Sequence, residues 1–295
     1  MSYRNMEYKM ALFDDNPRIL VRMSGNTRRL GCDNPYVHRC GISADPVLEV
    51  CERLEALSTN SCLNLSHLFL SPKEFGEILT ILKNAEVPDE FTLDLSRCDL
   101  NTEDELNLRN YSKNVTSLIL HATKSTTNLE YLFKEEFPNL RSIEMSSIEI
   151  RDQNLVANFI SKNKNLEKIS MIQLLSRCFS PSPIIQQLTK MENLIFLDLS
   201  GLKWAKSDWK ELLESLKNVK QLNMNDVETK IKFDNQWLPK LSELQVRRSK
   251  LNWSTIIEFL STSQVLKFDL RGSLFDEDLQ ADLEELRKNK IIILK

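Results

Sequence analysis

The chain has 295 residues, 41% hydrophobic and 27% charged, with a net charge of −3 at pH 7. That composition is ordinary for a soluble globular protein, and the slightly acidic balance supplies no basic field to draw nucleic acid. The longest apolar runs are a few residues, too short for a transmembrane helix, so neither nucleic acid nor membrane is an expected partner.

Met1-Ser2-Tyr3-Arg4-Asn5-Met6-Glu7 holds no signal-peptide core, and the six cysteines lack the paired spacing of a disulfide framework. Both point to a reducing compartment, cytoplasmic or nuclear. Residues 1–45 carry no repeat and read as an irregular arm. Its six arginines are offset by five acidic residues, which describes a solvated segment. Cys32, His38 and Cys40 supply three metal ligands with no fourth nearby, so no metal is expected. Residues 46–60 read as a capping helix opened by Pro46. A rise of about 3.6 residues per turn puts Val47, Val50, Cys51 and Leu54 along one face.

From Leu63 onward a short apolar phrase recurs. Its clearest copies are Leu93-Asp94-Leu95-Ser96-Arg97-Cys98-Asp99-Leu100 and Leu194-Ile195-Phe196-Leu197-Asp198-Leu199-Ser200, and both fit the leucine-rich template L-x-x-L-x-L-x-x-C/N-x-L. The first apolar residue of each L-x-L marks a series: Leu63, Leu93, Leu118, Ile143, Ile169, Leu197, Leu222, Leu244 and Phe268. The steps are 30, 25, 25, 26, 28, 25, 22 and 24 residues. Nine spaced copies predict an α/β leucine-rich-repeat solenoid over 61–295, a horseshoe with a parallel sheet on its concave side and helices on its convex side.

Helical spacing recurs between strands, over 75–82, 154–160 and 209–216. The 22-residue step after Leu222 is an exception, because Ile231-Lys232-Phe233-Asp234 looks extended. Residues 276–288 read as a last helix and Ile291–Leu294 as a terminal strand closing the stack. Five positions past each marker no asparagine occurs, so the buried amide ladder of many extracellular arrays is missing there.

No catalytic set is present. The chain has three histidines, six glycines and none of the G-x-S-x-G, H-E-x-x-H or G-x-x-x-x-G-K-[ST] motifs, so an enzyme and a cofactor are not expected. Strand alternation instead writes out a wall of outward residues, with Asn64, Asp94, Ile119, Glu144, Ser170, Asp198, Asn223, Gln245 and Asp269 in its central column. Asp94, Arg97, Glu144, Asp198, Asn223, Arg247 and Arg271 are the candidate partner-binding residues on it.

Two elements ahead of the array carry a family resemblance. Pro46-Val47-Leu48-Glu49-Val50-Cys51 resembles the Elongin-binding box, whose aliphatic and cysteine side chains four apart share a helix face and enter one groove. Pro72-Lys73-Glu74-Phe75-Gly76-Glu77-Ile78-Leu79 resembles the cullin-binding box. The order of Elongin box, cullin box and leucine-rich repeats is similar to the Zyg-eleven family of substrate receptors for Elongin–cullin–RING ubiquitin ligases, over about residues 46–270. The resemblance implies that Val47, Leu48, Cys51 and Leu54 dock Elongin C. It further implies that Pro72, Phe75 and Leu79 face a cullin and that the repeats hold a protein substrate. Val47 stands where the box prefers leucine. The armadillo domain of the larger members has no counterpart up to Lys295, so their substrate specificity does not carry over. The alternative is a ligase-independent repeat scaffold, with residues 46–60 serving as a cap.

Overall fold

The computed structural model describes residues 10–11, 20–21, 61–66, 87–98, 112–123, 127–150, 152–174, 181–234, 236–273 and 279–294. Near the N-terminus, β1 (Met10–Ala11) and β2 (Leu20–Val21) form a separate antiparallel pair. Ten further strands form one sheet in strict chain order: β3 (Cys62–Asn64), β4 (Phe91–Asp94), β5 (Val115–Ile119), β6 (Ser142–Ser146), β7 (Lys168–Ile172), β8 (Phe196–Asp198), β9 (Gln221–Asn223), β10 (Glu243–Gln245), β11 (Lys267–Asp269) and β12 (Ile291–Ile293). Every pairing is parallel, and the register runs Leu63, Leu93, Leu118, Ile143, Ile169, Leu197, Leu222, Leu244, Phe268, Ile292 straight across the sheet. The nine markers therefore lie in one row, and Ile292 adds a tenth.

The six described helices fall between strands: α1 (Thr127–Lys134), α2 (Gln153–Lys162), α3 (Ser182–Leu188), α4 (Lys206–Ser215), α5 (Trp253–Thr262) and α6 (Gln280–Arg287). Those expected over 154–160, 209–216 and 276–288 are α2, α4 and α6. The segments 46–60 and 75–82 lie outside the described residues. Between β9 and β10 the described residues form no helix, in keeping with the short step. Ile231, Phe233, Trp237 and Leu238 instead drop buried side chains into the core from extended and turn backbone.

One hydrophobic core runs the length of the array. The marker residues and their partners two positions on (Leu95, Leu120, Met145, Met171, Leu199, Met224, Val246, Leu270) pack against Leu132, Phe159, Leu212 and Leu260 from the helices. Strands pair about 4.8 Å apart whereas helices pack about 8–10 Å apart, so the sheet takes the inner, concave side of the bend. In this core Phe159 meets Phe133 edge-on at a centroid separation of 5.3 Å and Phe137 at a tilt at 6.0 Å.

Beyond each strand the chain turns at one fixed place. The residue four past the marker has positive φ in eight successive repeats: Arg97, Ala122, Ser147, Gln173, Gly201, Asp226, Arg248 and Gly272. Six of these are not glycine. Each of the first seven donates its amide to the carbonyl three past the next marker, as in Arg97 N–H to His121 O (2.7 Å) and Gly201 N–H to Asn225 O (2.7 Å). The strand ladder thus continues through the turn, and its bonds hold ordinary residues in a left-handed conformation that costs them about 1–2 kcal/mol.

The buried position five past the marker lacks asparagine, yet in four repeats it still bridges coils. Cys98 Sγ donates to Leu65 O, Thr123 Oγ1 to Leu95 O, Ser249 Oγ to Met224 O and Ser273 Oγ to Val246 O. The two serines also accept the amides of Val227 and Ser249, inserting a hydroxyl between an amide and the carbonyl three residues before it. An amide ladder does exist elsewhere. Asn114, Asn139, Asn165, Asn193 and Asn218, each four residues before a marker, donate to Pro88 O, Lys113 O, Pro138 O, Lys164 O and Glu192 O of the preceding repeat. The carboxamide has moved from the buried end of the strand to its solvent-facing start.

Candidate functional site

The concave wall consists of side chains one before, one after and three after each marker. Much of its central column is spent on the chain itself. Asn64, Asp94, Asp198 and Asp269 each accept the amide two residues on (Ser66, Ser96, Ser200 and Arg271) through Oδ1, at 2.8 to 3.2 Å. A short side-chain acceptor at this place closes the strand end as an Asx turn. The repeated phrase Asp-Leu-Ser in the two clearest copies was the sequence signal for it.

Two of the expected partner-binding residues are largely buried. Asp198 and Asn223 are only 7% and 8% exposed, and Asn223 Nδ2 donates to Asp198 Oδ2 at 2.8 Å. They close the sheet at neighbouring positions. Glu144 is exposed, Asp94 is half-buried as an Asx acceptor, and Arg97 is exposed at its left-handed turn. His121, three past Leu118, hydrogen-bonds Ser146 Oγ through Nδ1 on the half-buried wall. Val47, Leu48, Cys51, Leu54, Pro72, Phe75 and Leu79 lie outside the described residues.

Toward the C-terminal end the wall carries linked ion pairs. Asp269, 1% exposed, accepts from Arg247 Nε (2.8 Å) and Nη2 (2.6 Å) and from Arg271 Nη2 (2.8 Å) and Nε (3.1 and 3.2 Å). Burial pushes the Asp269 carboxyl upward, but hydrogen bonds from Arg271 and then Arg247 outweigh it and hold the group below the usual carboxylate range. One row earlier, Arg248 forks onto Asp226 through Nε (2.7 Å) and Nη2 (2.6 Å). Lys267 Nζ bonds Glu243 Oε1 at 2.7 Å, and Gln245 Nε2 reaches the same oxygen at 3.0 Å. Burial raises Glu243, and the bonds from Lys267 and Gln245 bring it below its ordinary value. The sequence placed Arg247 and Arg271 on the wall, but nothing in it marked Asp269 as their common anchor. Their convergence follows from lateral pairing of β10 with β11, which brings residues 22 apart together.

Among the described residues no group of three or more His, Cys, Asp or Glu side chains is placed to hold a metal ion, and no helix is long and apolar enough to cross a membrane. No protein-family model matches the chain, and no curated protein matches it by sequence. By structure it is similar to the internalin InlF of Listeria monocytogenes, at 14% identity and a TM-score of 0.50, over 88% of this chain and 77% of that one. The fold is a leucine-rich-repeat solenoid. The same bacterium's internalin InlC2 (14% identity, TM-score 0.38, 82% and 84% covered) and a TLR13–ssRNA13 complex (16% identity, TM-score 0.47, 75% and 34% covered) superpose less well. At such identities the likeness is one of fold alone.

Proposed function

We propose that the chain is a substrate-recognition or adaptor subunit of an Elongin–cullin–RING ubiquitin ligase that holds protein partners on its repeats. What supports this reading is the order of the two boxes and the first strands along the sequence. β3 is the terminal strand of the ten-stranded array, and its first residue, Cys62, follows Cys51 of the Elongin-type box closely in sequence. Pro72, Phe75 and Leu79 fall in sequence between the adjacent strands β3 and β4, within the first repeat. That arrangement leaves the later repeats for a substrate, and a solenoid wall of parallel strands is a binding architecture.

The test is affinity capture of Elongin C by the wild-type chain and by a Val47→Ala/Cys51→Ala double variant. Strong recovery by wild type and loss by the variant is expected. Equal recovery by both, or recovery by neither, overturns the ligase role. The second reading, a ligase-independent scaffold, draws support from Leu63 on the terminal strand and Leu65 just past it, which are only 2% and 6% exposed. A scaffold requires such covering of its first coil, and it predicts normal partner binding without Elongin C.

A further inference from the structure

The wall carries charge of both signs along the array. Its N-terminal half holds Asp94 and Glu144 together with Arg97 and Lys168, whereas toward its C-terminal end the cations Arg247, Arg248, Lys267 and Arg271 gather on β10, β11 and the turns that follow them. Most of that cationic end is neutralised pair by pair, Arg248 by Asp226 and Lys267 by Glu243. The trio of Arg247, Asp269 and Arg271 is different. Two guanidiniums share one carboxylate, leaving a net charge of +1 there. The carboxylate is 1% exposed while the Arg247 and Arg271 side chains are 32% and 41% exposed.

The geometry also leaves donors free. Each guanidinium spends Nε and Nη2 on Asp269, and among the described residues neither Nη1 has a hydrogen-bond partner. An arginine has five N–H donors in a fixed fork, so a guanidinium anchored along one edge presents its other edge in a set orientation. A guanidinium held by a buried anion gives up little further side-chain freedom on binding, which is the usual advantage of preorganisation.

We infer that Arg247 and Arg271, anchored on Asp269, form a clamp for the carboxylate of an aspartate or glutamate side chain in an extended segment of a protein partner. This rests on the reading of the concave wall as a protein-binding surface. The net charge of +1 matches one carboxylate, whereas a phosphate monoester carries about −1.5 to −2 and would remain undercompensated. A side-chain carboxylate fits better than a chain terminus, because the wall continues on both sides, to Gln245 and Asn223 in one direction and Ile293 in the other. Ile291, 63% exposed on β12 beside Lys267, offers an apolar neighbour on the same face.

The experiment selects binders to the immobilised full chain from a phage library of random dodecapeptides. The enriched sequences are then titrated by fluorescence anisotropy against wild type, Arg247→Gln, Arg271→Gln, Arg271→Lys and, on β6 four strands away from β10, Glu144→Gln. The enriched peptides should share an acidic residue. Its replacement by the amide should weaken binding to wild type roughly 10- to 100-fold. The same replacement should matter far less to Arg271→Gln, the signature of direct coupling rather than lost stability. Arg271→Lys, which keeps a cation on Asp269 but loses the fork, should lie between and serves if Arg271→Gln fails to fold. Acid-independent peptides weakened by Glu144→Gln overturn the clamp while leaving the protein-binding wall intact. Acid-dependent peptides indifferent to both arginines also overturn it. Enrichment of nothing overturns clamp and wall together, and displacement of the peptide by a tighter-binding twelve-nucleotide single-stranded RNA overturns the assignment to a protein.

Discussion

Replacing Ser249 by alanine tests whether the inserted hydroxyls hold successive coils together. Ser249 is 1% exposed; its Oγ donates to Met224 O at 2.7 Å and accepts Val227 N–H at 3.2 Å. Alanine would leave a buried carbonyl and a buried amide without that partner, at about 1–3 kcal/mol for each group. Relaxation offsets part of this. One repeat earlier the position equivalent to Ser249 is Val227, and there the amide of Leu202 bonds Leu199 O directly at 3.3 Å, with no hydroxyl between them. If the Val227–Met224 turn closes in the same way it recovers about 1 kcal/mol, so the expected net loss is about 2 kcal/mol. Urea unfolding followed by far-ultraviolet circular dichroism should show a lower midpoint at unchanged slope. Ser249→Cys should recover part of the loss, since Cys98 makes the corresponding bond to Leu65 O. A loss under about 0.5 kcal/mol for Ser249→Ala would mean the backbone closes without help, and the bridging role assigned to these side chains would be wrong.

Three further outcomes are expected. Asp269→Asn should lower stability near neutral pH, because Arg247 and Arg271 lose their common anion. The depressed folded-state value of Asp269 means its contribution is complete above the usual carboxylate pKa of about 3.9 and is lost as pH falls through the lower folded value, so wild type and variant should converge in acid. Thermal melts from pH 7 down to pH 2 check this, and a gap that persists at pH 2 contradicts it. Phe159→Ala removes a fully buried ring packed against Phe133 and Phe137 and should cost about 3–5 kcal/mol in denaturant unfolding; a cost under about 1 kcal/mol would mean the site collapses around the void. Gly201→Ala should destabilise by about 1–2 kcal/mol because φ is +73° and a Cβ would stand 2.6 Å from Gln173 Cγ. Equal melting temperatures for wild type and Gly201→Ala would show that Gln173 yields freely.

The repeat was legible because its signal is covalent and periodic. Apolar residues spaced by L-x-L must face one side of a strand, and their recurrence forces each coil to bury that side against the next. Nine markers in one registered row, the missing helix after Leu222 and the terminal strand at Ile291 all follow from that local pattern. The five pre-strand asparagines are equally local, a carboxamide recurring four residues before the marker. The same applies to the Asp-Leu-Ser phrase, in which an aspartate that alternation sends outward instead bends back to cap its own strand.

The wall's chemistry was decided by tertiary structure. Which residues of a column remain exposed depends on their lateral neighbours, and these come from repeats some 22 to 28 residues away. Across β8 and β9, Asn223 Nδ2 donates to Asp198 Oδ2, while the buried Asn223 Oδ1 has no partner among the described residues. Asp269 became an anchor because β10 delivers Arg247 beside it while the turn after β11 folds Arg271 back onto it. By itself the sequence determined a curved array of strand and helix coils, since hydrophobic periodicity is a property of neighbours along the chain. Only the folded sheet decided which charges cancel and which two arginines stand ready, because that is a property of neighbours across it.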